Sequence, residues 1–222
     1  MADDEARAED AAVHADAARD AAGVEEAGTG GGDPLGDDPR SMWQRLRAGD
    51  LHRPEGAEVR AHHTRGMALQ EAFNATGAHE GRRRGELLDQ LLGTRGKGAR
   101  IRPPLYVDYG AHLHVGENTF VNYGLTALDV ADIRIGRDGQ IAPGVQLLTA
   151  WHPLDPTTRR AGWEAASPIT IGDNVWLGAG AIVLPGVTIG DNTVVGAGAL
   201  VTKDLPADVL ALGSPARVIR HL

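Results

Sequence analysis

The stretch from Ile171 to Pro206 constrains the fold most strongly. Split into sixes it reads Ile171-Gly-Asp-Asn-Val-Trp, Leu177-Gly-Ala-Gly-Ala-Ile, Val183-Leu-Pro-Gly-Val-Thr, Ile189-Gly-Asp-Asn-Thr-Val, Val195-Gly-Ala-Gly-Ala-Leu and Val201-Thr-Lys-Asp-Leu-Pro. Every block opens on an aliphatic residue, and four continue with Gly. The fifth place carries Val175, Ala181, Val187, Thr193, Ala199 and the larger Leu205. A period of six fits neither an amphipathic helix nor a two-sided strand. It fits a hexapeptide β-helix, in which short flat strands stack coil upon coil.

The same period runs upstream. Val115-Gly116, Val121 and Ala127 fall six apart, and the register then slips by two to Ile135-Gly136, Ile141 and Leu147. Residues 149–168 interrupt the pattern with Pro153, Pro156 and Pro168. Leu147 to Ile171 is twenty-four residues, so whole sixes are kept. An insertion of this length in a repeat array signals a functional loop; it carries Trp151, His152, Trp163 and Glu164. The expected division is a mainly β chain with repeats over 99–206 and a C-terminal segment over 207–222. Residues 41–98 read as helical. Ser41 caps a first helix that Gly49 stops. Pro54 opens a second running to about Asn74. A third spans Arg83 to Leu92, with Leu87, Leu88, Leu91 and Leu92 on its apolar face.

Charge is confined to one end. Residues 1–40 hold twelve acids against Arg7, Arg19 and Arg40, a net of −9 against −8 for all 222 residues. With almost no large apolar side chains, this stretch reads as a disordered acidic tail. The remainder is near neutral, which gives no basic footprint for a nucleic acid. No apolar run suggests a membrane span, and the start lacks a signal-peptide pattern, so a cytoplasmic location is expected. The absence of Cys excludes disulfides, thiolate metal sites and a thiol nucleophile.

From Pro103-Pro104-Leu-Tyr-Val-Asp108-Tyr109-Gly110 onward the chain resembles the maltose and galactoside O-acetyltransferases of the hexapeptide-repeat superfamily. The resemblance continues through Asn122, Leu128-Asp129, Ile141-Ala142-Pro143, His152-Pro153-Leu154-Asp155, Pro168 to Trp176, Pro185-Gly186, Gly196-Ala197-Gly198, Val201-Thr-Lys203-Asp204 and Gly213 to Arg220. It implies a left-handed parallel β-helix with three hexads per coil. It also implies a homotrimer with acetyl-CoA sites between neighbouring subunits, acting on a small hydroxylated acceptor, with a sugar as the first expectation. An antibiotic or other xenobiotic alcohol is the nearest alternative acceptor. A non-catalytic trimeric scaffold is the alternative of another class.

What the resemblance implies for single residues follows from the chemistry. Acetyl transfer from a thioester to a hydroxyl requires the hydroxyl proton to be removed during attack. His152, in the extruded loop, is the expected general base, with Glu164 or a backbone carbonyl to fix its tautomer. Asp108 and Asn122 match positions that hydrogen-bond the acceptor, with turn chemistry as their plainer role. Asp129 matches a family Asp and fits a structural role equally well. For the cofactor, Trp176 packs on the pantetheine arm and a backbone N–H at Ala179 meets the thioester oxygen. The small Ala197 lets the arm approach, and Thr202, Lys203, Arg217 and Arg220 face the phosphates. No metal is expected: His112 and His114 share one face, but zinc would need a third ligand across a subunit boundary. The chain departs from the family at Pro54, where an acid is usual, and at His52, where an aromatic is usual. The departure touches the acceptor half alone.

Overall fold

The computed structural model describes residues 32–222. The expected disorder of residues 1–31 therefore lies outside the described residues. Residues 32–40 do not continue a free tail. Asp33 and Asp38 reach the buried guanidinium of Arg45 at 2.8 and 3.4 Å and hold this segment against the first helix.

Three helices precede the strands. Met42–Ala48 starts with a reciprocal capping box, in which the Ser41 hydroxyl accepts from the Gln44 N–H and the Gln44 side chain accepts from the Ser41 N–H. It ends on Gly49 in the left-handed region (φ 79°). The second helix is Ala57–Asn74 and does not start at Pro54, because Gly56 adopts φ 99° and turns the chain first. The third begins two residues earlier than expected, at Gly81–Leu91.

The rest is a three-sided parallel β-solenoid. One sheet stacks Thr94–Arg95, Leu113–Val115, Ile133–Ile135, Ile169–Ile171 and Thr188–Ile189. The second stacks Arg100–Ile101, Phe120–Val121, Gln140–Ile141, Trp176–Leu177, Val194–Val195 and Val209–Leu212, and Arg217–His221 closes it in antiparallel sense. The third stacks Leu105–Val107, Leu125–Leu128, Gln146–Leu148, Ile182–Val183 and Leu200–Val201. The coils thus begin at Thr94, ahead of the boundary read at 99. They also run past 206, since Val194 and Val195 pair with Leu210 and Ala211.

The pairing explains the register slip. Thr94 pairs with His114 and His114 with Arg134, so each early coil is twenty residues. Thr170 pairs with Thr188, eighteen on. The two extra residues sit at one corner, between the third and the first sheet: at 108–112 in one coil and at 129–132 in the next. The long insertion at 149–168 leaves from the same corner one coil further on.

Hexad-leading residues and those two places before them fill the interior. Leu105, Leu125, Ile133, Leu147, Leu177, Val183, Ile189, Val195 and Val201 are at most 1% exposed. Such burial contributes about 1.5–3 kcal/mol for each large side chain. The polar Thr193 is tolerated inside because its hydroxyl donates to the Pro206 carbonyl at 2.7 Å. Gly after the leading residue is a packing requirement: a Cβ on Gly116 would lie 2.4 Å from the Gly136 carbonyl carbon in the next coil. The second helix protects the open edge of the third sheet. Asn74 exchanges two 2.8 Å hydrogen bonds with the Leu105 backbone, and Gln70 accepts from the Val107 N–H at 2.7 Å. Among the described residues no helix is long and apolar enough to cross a membrane.

Candidate active site

The insertion is a built hairpin. Ala150–Trp151 pairs antiparallel with Ala165–Ala166. Between them, Pro156–Arg160 forms a short helix whose N-terminus is capped by Asp155 through the Thr158 N–H at 2.7 Å. Arg159 donates to the carbonyls of Pro153 and Leu154, both at 2.8 Å. This fixes the turn that follows His152. His152 itself is exposed, and its Nδ1 lies 3.4 Å from the carbonyl oxygen of Trp163. A carbonyl only accepts, so this long contact favours hydrogen on Nδ1 and leaves the Nε2 lone pair for a substrate proton. The backbone carbonyl, not Glu164, faces the ring. Glu164 turns instead to the buried His52, with Oε1 3.3 Å from Nε2.

The enlarged corner brings Asp108 to the same end of the third sheet. Its backbone is set by Asp129, which is fully buried and accepts from the N–H groups of Asp108, Tyr109 and His112 at 2.9–3.1 Å. Burial pushes the Asp129 carboxyl up to about 6 against the pull of these donors. Asp129 is therefore a staple of the corner. Replacing it by Ala orphans three amides, and urea unfolding is expected to show a loss of about 3–5 kcal/mol. The Asp108 carboxyl is half-buried. Burial raises it above the ordinary carboxylate value, His63 pulls it down, and the charge of Glu164 adds to the rise.

Behind this corner lies a cluster that sequence reasoning missed. Trp43 stacks on His62 at 4.0 Å, and Tyr109 lies between Trp43, His63 and His112 at 5.4–6.1 Å. Its members come from three elements, and the adjacent pair His62-His63 was the one local hint. His112 is committed locally, with Nδ1 2.8 Å from the Asp129 carbonyl oxygen, and His114 Nδ1 lies 3.1 Å from the Thr94 hydroxyl. Burial lowers both imidazoles below the ordinary value.

Asn122 is elsewhere. It lies at the corner between the second and third sheets, together with Trp176, Ala179 and Ala197. Phe120, Asn122, Gln140, Ile141, Ala142 and Trp176 line a recess of about 150 Å³ there. Trp176 projects outward with 54% exposure, in register with Gln140 below and Val194 above. Ala179 and Ala197 are exposed one coil apart, joined by the Gly198 N–H to Ala179 carbonyl bond of 2.8 Å. Lys203, Arg217 and Arg220 are exposed at the C-terminal end, whereas Thr202 is only 5% exposed and lies beneath the surface. The candidate residues of one chain thus fall into two groups on different edges of its three-sided solenoid.

A parallel solenoid of hexads interrupted by one histidine-bearing hairpin defines a hexapeptide-repeat acyltransferase. Residues 168–203 match the family pattern described as "Bacterial transferase hexapeptide (six repeats)". Residues 45–96 match the "Maltose acetyltransferase hexapeptide capping motif". The galactoside O-acetyltransferase of Escherichia coli is 41% identical over 82% of this chain and 89% of its own length. A maltose O-acetyltransferase structure from Clostridium difficile superposes with a TM-score of 0.82 at 40% identity, covering 83% of this chain and 99% of that one. A galactoside acetyltransferase solved in complex with coenzyme A gives 0.80 at 41% identity, covering 82% and 91%. The chain belongs to the maltose/galactoside O-acetyltransferase family of hexapeptide-repeat acetyltransferases.

Proposed function

We propose that this enzyme transfers acetyl from acetyl-CoA to a hydroxyl of a sugar, directly and within one ternary complex. The observation that carries the reading is His152, held at the end of a rigid hairpin with Nδ1 toward a carbonyl and Nε2 free. Nε2 takes the acceptor proton as the hydroxyl oxygen bonds to the acetyl carbonyl carbon. As the carbon–sulfur bond breaks, the same proton passes to the departing CoA sulfur. Asp108 and Asn122 orient the acceptor hydroxyls. Trp176 packs on the pantetheine arm beside the small Ala197, and the Ala179 N–H meets the thioester oxygen. Lys203, Arg217 and Arg220 face the phosphates; the buried Thr202 is left out of that set.

The two half-sites support a homotrimer. His152 and Asp108 occupy one edge of the solenoid and Asn122 and Trp176 another, so a complete site needs the edge of a neighbouring copy. The acceptor class is tested by following CoA release with a panel of mono- and disaccharides beside hydroxylated antibiotics. Turnover is expected with sugars, and turnover restricted to antibiotic alcohols would reverse the assignment.

A further inference from the structure

His52 lies in the segment that joins the first two helices and is fully buried. Its backbone forms an isolated antiparallel bridge with Glu164: the His52 N–H donates to the Glu164 carbonyl and the Glu164 N–H to the His52 carbonyl, both at 2.9 Å. Apolar neighbours on each side seal the bridge, with Leu51, Trp163 and Ala165 packed together against Met42, Trp151 and Ala161. Residues 164–166 are thus gripped from two sides, by His52 on one and by Ala150–Trp151 on the other. Trp163, whose carbonyl oxygen faces His152, directly precedes this gripped segment.

The ring atoms decide what His52 does there. Nδ1 lies 3.0 Å from the Asp50 carbonyl oxygen, which can only accept, so Nδ1 carries hydrogen. Nε2 is buried, has no hydrogen-bond partner, and lies at ion-pair distance, 3.3 Å, from Glu164 Oε1. A bare Nε2, itself out of reach of water, would oppose its lone pair to a carboxylate, which is costly. Asp108 is within electrostatic reach of Glu164, with His63 beside Asp108. Arg53 and Arg45 lie over the Trp163 ring at 5.0 and 6.0 Å.

We propose that His52 is a positioning residue: it donates from Nδ1 to Asp50, carries a second hydrogen on Nε2 that faces Glu164 as an ion pair, and so clamps the segment whose Trp163 carbonyl aligns His152. Glu164 is the other half of the clamp and does not need to touch substrate. The proposal rests on His152 acting as the base, but the state of the His52 ring is read independently of it.

The experiment has two arms on the full-length enzyme. Ring nitrogen NMR with ¹⁵N-labelled histidine is expected to show His52 protonated at both nitrogens, and to show one proton only in Glu164→Gln, which keeps the shape but removes the charge. A singly protonated His52 in the unmodified enzyme overturns the clamp. In the kinetic arm, His52→Phe is expected to lower kcat about tenfold to hundredfold, as a misplaced catalytic group does. KM for acetyl-CoA should stay within about twofold, because the phosphate and pantetheine contacts are untouched. His52→Gln, which restores an N–H toward Glu164, is expected to recover most of the rate. Equal loss in both variants would make His52 mere packing, and no loss in either would make it idle; each result overturns the proposal. Should His52→Phe not fold, the His52→Gln and Glu164→Gln pair carries the same comparison. If His152→Ala retains full activity while the ring data hold, the assigned base fails and the clamp does not.

Discussion

His152→Ala is expected to lower kcat by about 10²–10⁴-fold, the range that a positioned general base supplies, while acetyl-CoA binding by calorimetry stays unchanged. The separation follows from where the residue sits. His152 is exposed at the end of the hairpin and contributes no interior packing, so its removal leaves the fold intact. The proposed contacts to CoA come from Trp176 and the alanines at another corner and from the C-terminal cations. A variant that loses rate and affinity together would show that the imidazole binds the cofactor. A variant that loses neither would remove His152 from the chemistry.

The second large effect concerns sharing between copies. On the proposed homotrimer, the His152→Ala and Asn122→Ala enzymes are each expected to be nearly inactive. Trimers refolded from an equal mixture of the two chains should regain about a quarter of full activity. An intact site then requires an Asn122→Ala chain to offer its His152 edge to a His152→Ala chain offering its Asn122 edge, and random pairing in a cyclic oligomer supplies that combination at about one interface in four. No recovery in mixed trimers would place the whole site within one chain. Since the two groups of candidate residues lie at different corners of the solenoid, that outcome would also require the hairpin to reach across the third sheet.

Much of the scaffold was legible because every leading hexad residue points inward, so the interior repeats at the period of the sequence. Ile171, Leu177, Val183, Ile189, Val195 and Val201 are all at most 1% exposed. The slip before Ile135 was visible as a change of spacing. Its cause, a corner enlarged in successive coils, becomes visible only when strand partners are known. Val209–Leu212 is not legible as a hexad because it lacks the Gly and the small fifth residue, although it extends the second sheet. The helix start at Ala57 was missed because Pro54 is a good first-turn residue, whereas the positive φ of Gly56 overrides it.

The site was less legible, and distance along the chain explains why. His152, Asp108, Asn122 and Trp176 could be singled out through short motifs. The contact between His52 and Glu164 joins two loops with no shared motif, and each residue alone reads as unremarkable. Asp129 carried no sign of its three amide donors, because they belong to the preceding coil. Hydrogen bonds between coils leave no trace in local spacing.

The enlarged corner has a consequence for the stack. Ile133 pairs with Ile169 in unbroken register, so the stack below and above does not register how many residues lie between them. The hairpin closes on itself, with the Ser167 N–H donating to the Thr149 carbonyl at 2.9 Å, and extra length there adds little closure entropy. Changes of length at this corner therefore leave the strand register of the column as it is.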